Sequence, residues 1–176
     1  MAIRSRFNDV GGLVAKASPD KQLYFAKHND EAFAGDFPTL AELNMALGEA
    51  ASVSWLLVQI ADVMVYAGAK NLDKYQQGQL ARNIAGDYFW LKISELMLFF
   101  HRFKMGRYGR FYGAVDPMVV TCALHDFISE RNTRLSIIEQ ERRNREAELE
   151  RLANPPITYE EYVKNYKPKA DEQEKK

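Results

Sequence analysis

Between Phe99 and Gly113 the chain reads Phe-Phe-His-Arg-Phe-Lys-Met-Gly-Arg-Tyr-Gly-Arg-Phe-Tyr-Gly. Arg102, Lys104, Arg107 and Arg110 have no acid among them, the nearest in sequence being Glu95 and Asp116. Interleaved with them are Phe99, Phe100, Phe103, Tyr108, Phe111 and Tyr112, and glycines at 106, 109 and 113 free the backbone for tight turns or close approach. Cations that neutralise phosphates beside rings that stack on bases are what a single-stranded nucleic-acid platform requires. Arg102, Lys104, Arg107, Tyr108, Arg110 and Tyr112 are therefore the candidate residues for binding nucleic acid or a protein partner. The same residues have a plain structural reading. Phe99, Phe100 and Phe103 point into a helical bundle, and the loop rings pin a corner between two helices.

Other chemistry is sparse. The chain has no Gly-x-x-x-x-Gly-Lys phosphate loop, no dinucleotide fingerprint after a strand and no strand-to-helix nucleophile elbow. Cys122 and His125 stand three apart on a helix, but two ligands do not make a metal site, and a buried thiol with a surface imidazole is the simpler reading. Carboxylates at helical spacing occur in the Glu/Arg-rich segment after Ile138, where each has a basic neighbour. No catalytic residue, metal or cofactor is assigned, and an enzyme is not expected.

Composition bounds the rest. In a chain of 176 residues with 47% apolar and 12% aromatic residues, one domain with a ring-rich core is expected. The formal net charge of zero hides an asymmetry, since residues 71–115 carry seven basic and three acidic groups. Cys122 is the single cysteine, which excludes an intramolecular disulfide. The first residues, Met-Ala-Ile-Arg-Ser-Arg-Phe-Asn-Asp, contain no apolar run of the secretory kind. The longest apolar stretch, Ala50 to Ala69, contains Asp62, which would cost about 2.5–3.5 kcal/mol at mid-membrane. A buried helix fits better than a membrane span, and a cytoplasmic protein is expected.

The spacing of apolar residues predicts an all-α fold. Residues 1–36, with turn signals at Gly11-Gly12, Ser18-Pro19-Asp20 and Gly35-Asp36, read as an irregular arm with a short helix around Gln22 to Lys27. Residues 37–138 read as a helical core domain. In it, Thr39 and Glu42 form a capping box for a helix closed by Gly48, and Glu49 to Ala67 form a central helix capped by Gly68. A third helix starts at Asp73 with Tyr75, Leu80, Ala81 and Ile84 inward, and a fourth, capped by Ser94, runs from Glu95 to Lys104. Asp116-Pro117 opens a fifth helix of roughly 37 residues and about 55 Å. Its first half carries the stripe Val120, Leu124, Phe127, Ile128, Leu135 and Ile138. Residues 139–154 form a charged helical extension with Glu139–Arg143 and Glu141–Arg145 pairs, and residues 155–176 a short helix with a charged tail. The expected core is Trp55, Leu56, Ile60, Val63, Ile84, Phe99, Phe103, Val120, Leu124 and Phe127.

The run Leu91 to Lys104, then Gly106 to Gly113, Asp116-Pro117 and Arg131, resembles an uncharacterised family encoded by gut-bacterial phages and mobile elements. The ending Pro156-Ile157-Thr158-Tyr159-Glu160-Glu161-Tyr162 is similar too, and the resemblance spans roughly residues 37–166. It implies a bacterial host cell and a DNA-replication or maintenance setting, in which small helical helicase loaders and replisome organisers occur. The resulting expectation is a non-enzymatic adaptor that contacts single-stranded or duplex DNA, or a replication protein, through the Phe99–Gly113 loop. The alternative is a structural module that self-associates through its C-terminal helix and touches no nucleic acid. No membrane partner is expected.

Overall fold

A computed structural model of the protein describes residues 2–68, 72–109, 115–156 and 158–166. The chain divides into two compact units, Met1–Ser136 and Ile137–Lys176. Among the described residues the elements are α1 (Ala2–Phe7), α2 (Val10–Lys16), a 3-10 turn (Pro19–Lys21), α3 (Gln22–Lys27), α4 (Asn29–Ala34), α5 (Leu40–Leu47), α6 (Ala51–Ala67), α7 (Lys74–Asp87), α8 (Ile93–Lys104), α9 (Pro117–Ala153) and α10 (Tyr159–Tyr166). No strand forms among them, and the all-α expectation holds.

Local signals account for most helix ends. Thr39 Oγ1 accepts from Glu42 N–H and the Glu42 carboxylate accepts from Thr39 N–H, the capping box read from sequence. Asp73 and Gln76 form a second box at the start of α7. Gly68 ends α6 at φ 59°, in the left-handed region open to glycine. Asp116 Oδ1 accepts from Met118 N–H at the start of α9. Every residue of the expected core is buried, Trp55, Leu56, Ile84, Phe99, Leu124 and Phe127 completely.

The N-terminal expectation needs correction. Residues 1–36 do not form an irregular arm: α1 to α4 fill them, and Phe7, Leu13, Ala17, Phe25, Ala32 and Phe33 join the core. Only the α3 helix was legible in that stretch. Gly11-Gly12 reads as a turn, yet it lies inside α2, where Asp9 Oδ1 accepts from Gly12 N–H. The glycine is there for room, since a Cβ at Gly12 would come within 1.9 Å of the Phe7 carbonyl oxygen. The Ala17 carbonyl then accepts from both Trp55 Nε1 (2.8 Å) and Gln59 Nε2 (3.0 Å), and Gln22 Nε2 donates to Gln59 Oε1 (2.7 Å). These buried bonds join the end of α2 and the start of α3 to α6, and each satisfies polar groups that would otherwise be costly to bury.

Other departures are smaller. Tyr75 is 69% exposed rather than inward. Cys122 is exposed rather than buried. Val65 and Tyr66 leave one side of α6 open, so that helix is not enclosed all round. Lys92, not Ser94, is the N-cap of α8. On α9, Glu139 pairs with Arg143 as expected, but Arg142 binds Glu139 and Glu146, and the Glu141–Arg145 pair does not form.

Trp55→Ala should cost about 3–5 kcal/mol, the cavity cost of a large buried ring. Trp55→Phe should cost less, because Gln59 still serves the Ala17 carbonyl. Denaturant unfolding measures both, and a Trp55→Ala midpoint equal to wild type would reject this core.

Candidate functional site

α8 positions the basic–aromatic segment. Every residue from Ile93 to Phe100 is buried, so this part of the helix has no solvent-exposed face and its polar side chains must be answered inside the domain. Ser94 Oγ donates to the Ala32 carbonyl (2.8 Å). Lys92 Nζ reaches the Phe33 and Gly35 carbonyls at the end of α4. Glu95 Oε2 accepts from Lys92 N–H (2.9 Å) and Glu95 Oε1 from Arg131 Nε (2.7 Å). The Arg131 guanidinium lies over the Trp90 ring at 4.8 Å. Burial pushes the Glu95 carboxyl up from its usual range, against the opposing pull of the Lys92 N–H and Arg131.

The cations that follow are held by acids from distant parts of the chain. Arg102 Nη1 binds Glu130 Oε2 at 3.0 Å, and its Nη2 donates to Asn29 Oδ1 at 3.0 Å. Its guanidinium stands 5.9 Å from both the Phe33 and Phe127 ring centres. Lys104 Nζ binds Asp62 Oδ2 at 2.6 Å and faces the Tyr66 ring. Arg107 Nε binds Glu130 Oε1 at 3.1 Å. The Tyr108 ring packs 6.0 Å from Phe99, and its hydroxyl lies 3.5 Å from Glu130 Oε2. Burial, with the nearby Glu130 charge adding to it, pushes that hydroxyl up to about 12, so it stays protonated. Burial also lowers the His101 imidazole, with Lys104 and Arg102 contributing in the same direction.

Three of the six candidate residues, Arg102, Arg107 and Tyr108, are thus brought together around Glu130, while Lys104 is held apart from them by Asp62. Arg107, expected to be solvated for want of a nearby acid, is ion-paired to Glu130. Arg110 and Tyr112 lie outside the described residues. Sequence reasoning missed Glu130, Asp62 and Asn29 because they stand 28, 42 and 73 positions from the cations they hold. Asp62, an acid in an otherwise apolar helix, was the one available signal. Among the described residues no group of three or more His, Cys, Asp or Glu is placed to hold a metal, and no helix is long and apolar enough to cross a membrane.

The segment falls inside the span, residues 72–174, that a protein-family model matches. The chain belongs to the Family of unknown function (DUF6633). No curated protein and no solved structure matches it. The DUF6633 span contains both members of the Glu95–Arg131, Arg102–Glu130 and Arg107–Glu130 pairs. Asp62 and Asn29, which answer Lys104 and Arg102, come from before it.

Glu130 serves two guanidinium groups, and removing its charge leaves both with a weaker acceptor. Glu130→Gln should lower stability by about 1.5–3 kcal/mol, the range for hydrogen bonds to charged groups. Arg142→Gln, in an exposed pair, should unfold at nearly the wild-type midpoint. Urea unfolding of both variants checks this, and equal effects would contradict the assignment.

Proposed function

We propose that this chain is a non-enzymatic, self-associating interaction module whose C-terminal helical segment is the docking surface. Its setting, carried over from the family resemblance, is the cytoplasm of a bacterial host, in the DNA metabolism of a phage or mobile element. The observation that carries the reading is the exposure of the second unit. Every residue from Gln140 to Pro156 is exposed, including Leu149 at 61% and Leu152 at 73%, and so is Tyr159 at 81%. Helices in proteins gain most of their stability from packing an apolar face, and this stretch has no packed face among the described residues. The Arg142–Glu139, Arg142–Glu146 and Arg143–Glu139 pairs support the helix locally, and the two arginines hold Glu139 down to about 2. Such exposed, solvent-screened pairs add little stability.

A second copy suits this surface. Ile138, Leu149 and Leu152, with Arg142 and Arg145 between them, follow the three-and-four spacing of a helix-pairing seam. In an antiparallel pair Ile138 of one copy meets Leu149 of the other. Arg142 and Arg145 then lie among Glu139, Glu141, Glu146 and Glu148 of both copies, which offsets their charge.

A second reading, contact of the Phe99–Gly113 loop with nucleic acid or a replication protein, has one observation in its favour. Glu130 answers both Arg102 and Arg107, so that cluster keeps one positive charge, and the Arg107 side chain is 54% exposed. On this reading Arg107→Ala with Arg110→Ala abolishes a salt-sensitive gel shift of single-stranded DNA.

Light scattering on the full chain tests the first reading. A dimer that forms with rising concentration is expected, and Leu149→Glu with Leu152→Glu should return it to monomer without moving the thermal midpoint. A wild-type protein that stays monomeric at high micromolar concentration would overturn it.

A further inference from the structure

A pocket of about 370 Å³ lies in the first unit, lined from α1, α2, α3, α4 and the first half of α8, and none of the Arg102–Tyr108 cations or rings borders it. Its inner wall is apolar: Phe7, Phe25, Ile93 and Met97 are all buried, and the half-buried Phe37 ring meets Phe25 edge-on at 5.1 Å. The Phe37 ring can lie there because residue 35 is glycine, since a Cβ at Gly35 would come within 2.8 Å of it. The exposed part of the lining is different in kind: Arg6, Lys16 and Lys21, with Tyr24 and Glu31.

These three cations differ from those that pack against the bundle. Arg102, Lys104 and Arg131 each have a carboxylate partner. Among the described residues, Arg6, Lys16 and Lys21 form no ion pair. Arg6 donates to the Asp36 carbonyl and stands over the Phe7 and Phe37 rings, and Lys16 Nζ donates to the Arg6 carbonyl (2.6 Å). Carbonyl oxygens orient these groups without neutralising them. The one carboxylate of the lining, Glu31, already accepts from the Tyr24 hydroxyl at 2.6 Å, a bond that raises the Tyr24 pKa and keeps the proton on the tyrosine. The lining therefore carries three positive charges against one negative.

We infer that this pocket binds a small amphipathic anion, a carboxylate or phosphate head on an aromatic or short aliphatic body. An apolar wall of phenyl rings and a flexible methionine suits a planar or short-chain body. Unpaired cations around the opening supply the charge that such a head lacks. The volume lies at the small end of ligand sites and suits one ring with a short chain rather than a nucleotide or an extended peptide. This inference is independent of self-association, because it uses no residue of the second unit.

Methyl-labelled methionine NMR on the full chain tests it, with the Met97 signal assigned through Met97→Leu. Titration with 3-phenylpropanoate should shift that signal saturably. The neutral 3-phenylpropan-1-ol should need at least about tenfold more, and inorganic phosphate alone should not move it. Lys16→Gln with Lys21→Gln should weaken the acid about tenfold and leave the alcohol unchanged, with an unaltered thermal midpoint because both side chains are exposed. Phenethyl phosphate binding more tightly than the carboxylate, with the same lysine dependence, would name phosphate as the preferred head. No saturable shift at millimolar acid, equal binding of acid and alcohol, or unchanged acid binding by the double variant would each overturn the inference.

Discussion

Glu95 is a carboxylate with no solvent exposure, in the first turn of a helix buried from Ile93 to Phe100. Such a group is tolerable only if it is answered where it stands, and the Lys92 N–H and Arg131 Nε answer it. Burial raises its pKa while the Lys92 N–H and Arg131 pull the other way. Desolvation offsets much of the attraction in a buried ion pair, so the pair does more to fix position than to add net stability. It sets the register of α9 on α8: Phe127, one turn before Arg131, meets Phe99 at 5.6 Å, and Glu130 reaches Arg102 and Arg107. Arg102, Arg107 and Tyr108, which look like part of a ligand platform in sequence, meet Glu130 through that register, whereas Lys104 is held by Asp62 of α6.

The same logic extends to the N-terminal helices. Lys92 Nζ and Ser94 Oγ bind carbonyls at Phe33, Gly35 and Ala32, so the start of α8 also fixes α4. Asn29 and Asp30 of α4 bind Arg102 and Arg134 in turn, and Arg134 lowers the Asp30 carboxyl. Helices too short to persist alone hold their place through these polar bonds and through Phe7, Phe25 and Phe33.

How much of this was legible depended on the range of each interaction. The capping box at Thr39, the helix start at Asp73, the Gly68 cap and the Asp116-Pro117 start act over a few residues, and all four were readable. The ring-rich core was readable from helical spacing. The short helices α1, α2 and α4 were not, because glycine at 11, 12 and 35 signals a turn whether it serves dihedral freedom or close packing. The ion pairs were hidden for another reason. A search for acids near Arg102 to Arg110 in sequence cannot find Glu130 or Asp62, and it overstated the exposure of the cations. The pocket beside Arg6, Lys16 and Lys21 drew no notice because those residues are scattered among turn signals.

Glu95 and Arg131 depend on each other, and their union sets the packing of α8 on α9. A double-mutant cycle with Glu95→Gln and Arg131→Met, followed by denaturant unfolding, measures that dependence directly. Either single change should cost several kcal/mol by leaving a buried group unanswered, and the double change should cost about 2 kcal/mol less than the sum. Two losses that add to within about 0.5 kcal/mol would contradict the account.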